Sequence, residues 1–470
     1  MKEEVFSMKK LGLNPYLPSW EYIPDGEPYV FGDRVYVYGS HDKFNGHVFC
    51  LGDYVCWSAP VDDLGSWRYE GVTYPKVSDP MNRDGHMCLY APDVTVGPDG
   101  RYYLYYVLDQ TDVVSVAVCD TPAGRYEFLG YVHYADGTML GRAPGDEPQF
   151  DPGVLTEGDI TYLYTGFCGQ GDKSRHGAMV TVLEKDMLTV REAPRFVAPG
   201  VMYAAGTEYE GHAFFEAPSI RKRNGLYYFI YSSTPMHELC YAVSESPVEG
   251  FRYGGVIVSN CDLHIGKEPD LPKAYGGNNH GSIVEIAGQW YIFYHRQTNA
   301  HWFSRQGCAE PIIFLPDGSI PQVEMTSCGL NGGPLPAEGE YPAYLACHIY
   351  TPERVLLSGK PGEPCVTQDG RDGDEEPGYI KDIRDGTVIG FRYFDVKDVR
   401  SFSIETRAYA NGSFIVSTDP DGEELARIPV ENSSVWVKRT ASIALPRGKQ
   451  AIYLRYTGSG NAQLKCIAFD

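Results

Sequence analysis

Five polar residues recur at near-equal intervals through the first two-thirds of the chain. They are Asp25 in IPDGEP, Asp93 in YAPDV, Asp151 in FDPGV, Glu216 in FEAPSI and His280 in NNHGSI, with gaps of 68, 58, 65 and 64 residues. Taken singly, each reads as a turn or capping group. Taken in register they read as a convergent set, because packing alone would select apolar or small residues at such a position. Convergent carboxylates suit the cleavage of a glycosidic bond, which needs a proton donor on the leaving oxygen and a second carboxylate across the sugar. If that second group activates water, the two stand roughly 6.5–9.5 Å apart and the anomeric centre inverts. A third acid near the donor raises its pKa by like-charge repulsion and keeps it protonated near neutral pH. Such chemistry requires no redox or nucleotide cofactor.

Residues spaced in this way need a scaffold of the same period. An aromatic-rich run follows each of the five: RVYVYGSHD from Arg34, RYYLYYVLD from Arg101, ITYLYTGFC from Ile160, LYYFIYSST from Leu226 and QWYIFYHRQ from Gln289. Each reads as a strand and follows a turn signal such as FGD, GPDG, TEGD, RNG or AG. A repeat of this length fits a four-stranded β-propeller blade with generous loops, and five blades leave a narrow axial channel. The aromatic runs are expected to be the innermost strands. Their ends would then bring His41, Asp42, His295 and Arg296 near the axis, as pocket residues or as strand ends satisfied by backbone. Trp20, Tyr22, Phe214 and Phe215 flank the acids and are candidates for a sugar-stacking wall, with core packing the alternative for the phenylalanines.

After Ile320 the pattern changes. A Gly- and Pro-rich stretch, CGLNGGPLPAEGEYPAY from Cys328, reads as a linker, and strand-like runs such as TVIGFRYFDV and AIYLRYTG follow it. The fold class is therefore all-β. A five-bladed propeller is expected over residues 1–327, a linker over 328–342 and a β-sandwich over 343–470.

The motifs IPDGEPYVFGDRVYVY, YAPDV, FFEAPSI, NNHGSIVE and SRQGCAEPIIFLPDGSI together resemble glycoside hydrolase family 43 across roughly residues 14–325. That resemblance implies an inverting exo-glycosidase of the α-L-arabinofuranosidase or β-xylosidase type acting on plant-type oligosaccharides. A galactosidase or galactofuranosidase, or a sugar-binding propeller without catalysis, is the alternative. The resemblance implies Asp25 as the general base, Asp93 as the acid that tunes the donor, and Glu216 as the general acid. It implies Arg305 as a contact to substrate hydroxyls, and His280 as a group beneath the site with room for a structural calcium or sodium ion. Asp151 matches a third-blade acid with a structural or supporting role. The first-blade motif usually reads Asp-Pro, whereas here Gly26-Glu27-Pro28 follows Asp25, so Glu27 competes for the base role. The C-terminal segment is similar to family 6 carbohydrate-binding modules. However, Leu464-Lys465-Cys466-Ile467 stands where those often carry an Asn-Ile-Asp ligand segment, so packing or dimerisation is as good a reading. Trp436 is its aromatic candidate for a sugar platform.

Bulk composition agrees with a neutral sugar as partner. The chain carries 62 acidic against 40 basic residues, a net charge of −22, which repels nucleic-acid backbones and anionic lipid surfaces. No apolar stretch is long enough to span a membrane. Twelve cysteines without a CxxC pair, in a chain whose start lacks the apolar core of a secretory signal, read as reduced thiols and lead to the expectation of a cytoplasmic protein. A homo-oligomer stays open.

Overall fold

The aromatic runs are strands, but they are not the strands nearest the axis. The computed structural model describes residues 10–266, 270–354, 356 and 362–470. Its first part is five antiparallel sheets that follow one another in sequence, four of four strands and a last one of three. Their first strands are Glu27–Phe31, Asp93–Val96, Gly153–Glu157, Phe214–Arg223 and Ile283–Ile286. These first strands touch one another across blades: Gly26 bridges Gly281 in parallel, and the Val154 N–H donates to Asp93 Oδ2 at 2.7 Å. They are the inner ring. The expected innermost runs, Arg34–Tyr38, Tyr102–Val107, Ile160–Thr165, Leu226–Ser233 and Gln289–Arg296, form the second ring. Being covered on both faces explains their richness in buried Tyr, Phe and Val: Tyr105, Tyr164, Phe229 and Phe293 are all fully buried.

Tight turns join the two rings. Arg223 pairs with Leu226 across Asn224-Gly225, whose φ values of 50° and 83° meet the demand of a two-residue hairpin for two left-handed positions. The three-stranded last blade is completed by the N-terminal segment. The Tyr16 N–H donates to the Gly307 carbonyl at 3.2 Å, and the Asn14 side chain exchanges bonds of 2.9 Å with both backbone groups of Ala309. The ring is thereby closed by residues far apart in sequence.

The C-terminal strands connect into one ten-stranded sheet, through which the long strands Ser401–Ser417 and Gly448–Phe469 both run. The stretch expected to be a linker belongs to it. Leu335–Pro336 and Gly339–Pro342 pair into this sheet, and Cys328, Leu335 and Tyr341 are buried in its core. A buried cluster ties it to the propeller, in which Asp262 accepts from Arg392 Nη2 at 2.5 Å and lies 2.9 Å from His348 Nε2. All twelve cysteines are unpaired, and eleven of them are buried.

Candidate active site

Two stacked layers of side chains line the channel, set two residues apart on the inner strands. Asp25 and Asp151 each stand two residues before their first strand begins, in left-handed backbone at φ 58° and 44°. Aspartate tolerates that region, and such strained positions concentrate at functional sites. Glu216 sits inside Phe214–Arg223 where the register slips on both sides, and Ala217 after it has φ 63°. A bulge of this kind re-aims a side chain. Asp25, Asp151, Glu216 and His280 line one cavity of about 610 Å³.

Asp93 is not in it. Asp93 is the first residue of its strand, so it is level with Glu27, and the blade-two residue level with Asp25 is Ala91, which does line the cavity. Fully buried one layer deeper, Asp93 accepts from Tyr29 Oη, Val94 N and Val154 N, each at 2.7 Å. Glu27 shares that layer, where it accepts from Arg221 Nη2 at 2.6 Å and Ser219 Oγ at 3.1 Å. The assignment of Asp93 to the reacting centre and the rivalry of Glu27 with Asp25 thus both meet the same geometric obstacle, whereas Asp151 enters the pit.

The upper layer separates its protonation states. Burial opposes charge on Asp25, yet the Arg305 guanidinium 3.0 Å away holds its carboxyl well below the usual range. Arg305 is itself fixed by Asp42, through Nε at 2.8 Å and Nη2 at 3.1 Å. The Asp25 N–H donates to His295 Nδ1 at 3.2 Å, and the other ring nitrogen lies 2.6 Å from the Asn278 carbonyl. Asp25 Oδ2 has no protein donor among the described residues. Burial, then the neighbouring Asp151, pushes Glu216 up to about 8. Asp151 is raised as well, by burial first. His280 lies 3.7 Å from Asp151, 3.8 Å from Glu27 and 4.0 Å from Asp25; these anions overcome its burial and lift it to about 9. The ring is a cation wedged among carboxylates.

Rings wall the pit. Tyr90, Phe150, Phe167 and Phe215 form a chain with successive centroids 5.5, 5.2 and 5.2 Å apart. Phe49 and Phe303 meet edge to face at 4.7 Å, and Trp302 adds to the lining. Of the aromatic candidates from sequence, Phe215 lines the pit, Phe214 is core, and Tyr22 and the half-buried Trp20 lie outside it. His41 also lies outside, held between Glu21 Oε1 and the Asp53 carbonyl at 3.0 Å each. Arg296 points the other way and donates to the Ala346 carbonyl at 2.8 Å, so it anchors the C-terminal sheet. Phe150 was readable from its adjacency to Asp151; Phe49, Trp302 and Phe303 come from loops without periodicity. Around His280, Glu27 Oε1 is a buried oxygen without a hydrogen-bond partner. One imidazole and one such oxygen fall short of the six to eight oxygens that calcium asks for, so the protein's own atoms do not complete a shell for it.

A family model described as glycosyl hydrolases family 43 matches residues 23–320. A xylosidase/arabinosidase of Thermoclostridium stercorarium is 65% identical over 466 residues, which cover 97% of this chain and 98% of that protein. Among solved structures, a Xanthomonas citri GH43_1 enzyme complexed with xylotriose is 25% identical, with a TM-score of 0.53, over 67% of this chain and 95% of its own. A Bacillus subtilis arabinoxylan arabinofuranohydrolase in complex with cellotetraose matches 97% of both chains, with a TM-score of 0.53 and 21% identity, and so shares the fold.

Proposed function

The chain belongs to glycosyl hydrolases family 43, and from that premise we propose that its pit releases a terminal xylose or arabinofuranose from a neutral oligosaccharide with inversion at the anomeric carbon. The sugar class follows the printed name of the 65% identical relative and the xylotriose bound by the Xanthomonas enzyme. The observation that carries the mechanism is the split in one cavity between an anionic Asp25 and a neutral Glu216.

In this reading the Glu216 carboxyl donates its proton to the glycosidic oxygen as the bond from C1 to that oxygen breaks. Asp25 takes a proton from the water that attacks C1 from the opposite face. Glu216 ends ionised and Asp25 protonated, and exchange with solvent resets both. Asp151 takes the role that the resemblance assigned to Asp93: burial first, and then the charge of Asp151 beside it, keep the Glu216 donor protonated at neutral pH. Arg305 serves Asp25 first, since its donors are committed to Asp25 and Asp42. The aromatic chain offers apolar faces to the C–H side of the sugar, and a cavity of this size suits one or two sugar rings.

The test is hydrolysis of p-nitrophenyl β-xyloside and α-L-arabinofuranoside with the first-formed anomer followed by NMR. The expected result is turnover giving the inverted anomer. A retained product would make Asp25 a nucleophile, and no turnover on these or on oligosaccharides would reduce the pit to a binding site.

A further inference from the structure

In the blade that carries Glu216, outside the pit, three side chains with metal-binding atoms crowd together. His212 lies in the approach to Phe214–Arg223. Glu238 and Cys240 are two residues apart on Glu238–Ser244 and so share a face of that strand. One ligand atom from each of the three lies within 4.8 Å of the other two. His212 Nδ1 is 2.7 Å from Glu238 Oε1, which also accepts from Ser233 Oγ at 2.6 Å. Glu238 is fully buried, and its other oxygen, Oε2, has no hydrogen-bond partner. The His212 side chain is 32% exposed, and a cavity of about 360 Å³ lined by Glu210, Gly211, Ala213 and Thr234 lies beside it. The partly exposed imidazole is therefore open to an ion from solvent, and Glu238 offers that ion an unsatisfied anionic oxygen.

We propose that His212, Glu238 and Cys240 form a site for a divalent transition-metal ion, zinc above others. Imidazole, carboxylate and thiolate are the donor types zinc takes, and three protein ligands leave its fourth position to water. Tetrahedral zinc sets its ligand atoms roughly 3.5 Å apart, a spacing inside the 4.8 Å within which the three atoms already lie. Binding requires the Cys240 thiol to lose its proton to solvent and His212 Nδ1 to give up the hydrogen it shares with Glu238. Affinity therefore falls as the pH is lowered. The site is positional in effect. His212 precedes Glu216 by four residues, and the hairpin from Ser233 to Glu238 carries Met236 into the pit. A bound ion would clamp that hairpin to the strand of the general acid.

Full-length protein stripped with a chelator, loaded with Zn²⁺ and dialysed should hold one zinc per chain by elemental analysis. Loading with Co²⁺ should give the near-ultraviolet absorption of a cobalt–thiolate bond. Cys240→Ser should abolish that absorption, and Cys240→Ser and His212→Gln should each lower zinc retention at least tenfold. Zn²⁺ should raise the Tm of the stripped wild type by several degrees. Wild type that retains no zinc and shows no thiolate band overturns the proposal whether or not the variants fold. So does retention unchanged in both variants, and in either case His212 and Glu238 are an ion pair beside a buried thiol.

Discussion

Asp25 and Asp93 are both buried aspartates at the head of an inner strand, yet they stand in different layers of the channel. In the lower layer, donors converge on every acid: Tyr29 and two backbone N–H groups on Asp93, Arg221 and Ser219 on Glu27, with Arg221 also 4.3 Å from the Tyr29 ring centroid. In the upper layer Asp25 keeps an oxygen free, and the Glu216 carboxyl makes no hydrogen bond to protein among the described residues. Burial and acidity are common to both layers. What differs is access: a carboxyl enclosed beneath the pit holds blades together even where, as at Glu27 Oε1, one oxygen lacks a partner, and one that faces the cavity can exchange a proton with a ligand.

Substitutions in the two layers should therefore separate rate from stability. The largest effects belong to the pit. Asp25→Asn and Glu216→Gln should each lower kcat by about 10²–10⁴-fold, with little change in Tm, as steady-state kinetics and calorimetry would check. Asp151→Asn should follow, with a loss of about 10–100-fold in kcat, since Glu216 remains but loses the neighbour that keeps it protonated. Asp93→Asn should invert the pattern. Its amide turns a donor towards donors and should cost about 1–3 kcal/mol of stability in denaturant titration, while kcat of the folded protein changes less than about threefold. A kinetic defect in Asp93→Asn exceeding that of Asp151→Asn would break the comparison. The smallest effect is expected at the wall: Phe167→Ala should raise KM by roughly three- to tenfold with kcat nearly unchanged, a loss of about 1 kcal/mol of stacking.

The five-fold repeat, the all-β class and the place of the acids on that repeat were legible because turn signals and aromatic runs mark each hairpin. The layer was not. Asp25 and Asp151 each stand two residues before their first strand, which begins at Glu27 and Gly153, whereas Asp93 is itself the first residue of Asp93–Val96. The longer GPDG turn of blade two hides that offset when residues are counted to the following run. A two-residue shift keeps a side chain on the same face of a strand but moves it about 7 Å along the channel. The bulge that aims Glu216 was equally invisible, because it depends on the left-handed Ala217 rather than on any residue that favours that conformation. In the C-terminal part, alternation announced strands but not their partners: Ser401–Ser417 and Gly448–Phe469 are long enough to join everything into one sheet.

The most direct test is the pH dependence of kcat/KM on an aryl glycoside for wild type, Asp151→Asn and Asp93→Asn. With Glu216 as the proposed proton donor, wild-type activity should fall as the pH rises through about 8. Removing the charge of Asp151 lowers the pKa of Glu216, so in Asp151→Asn that alkaline limb should move down by about one pH unit, while Asp93→Asn leaves it in place. An alkaline limb that moves with Asp93 and ignores Asp151 would contradict the account.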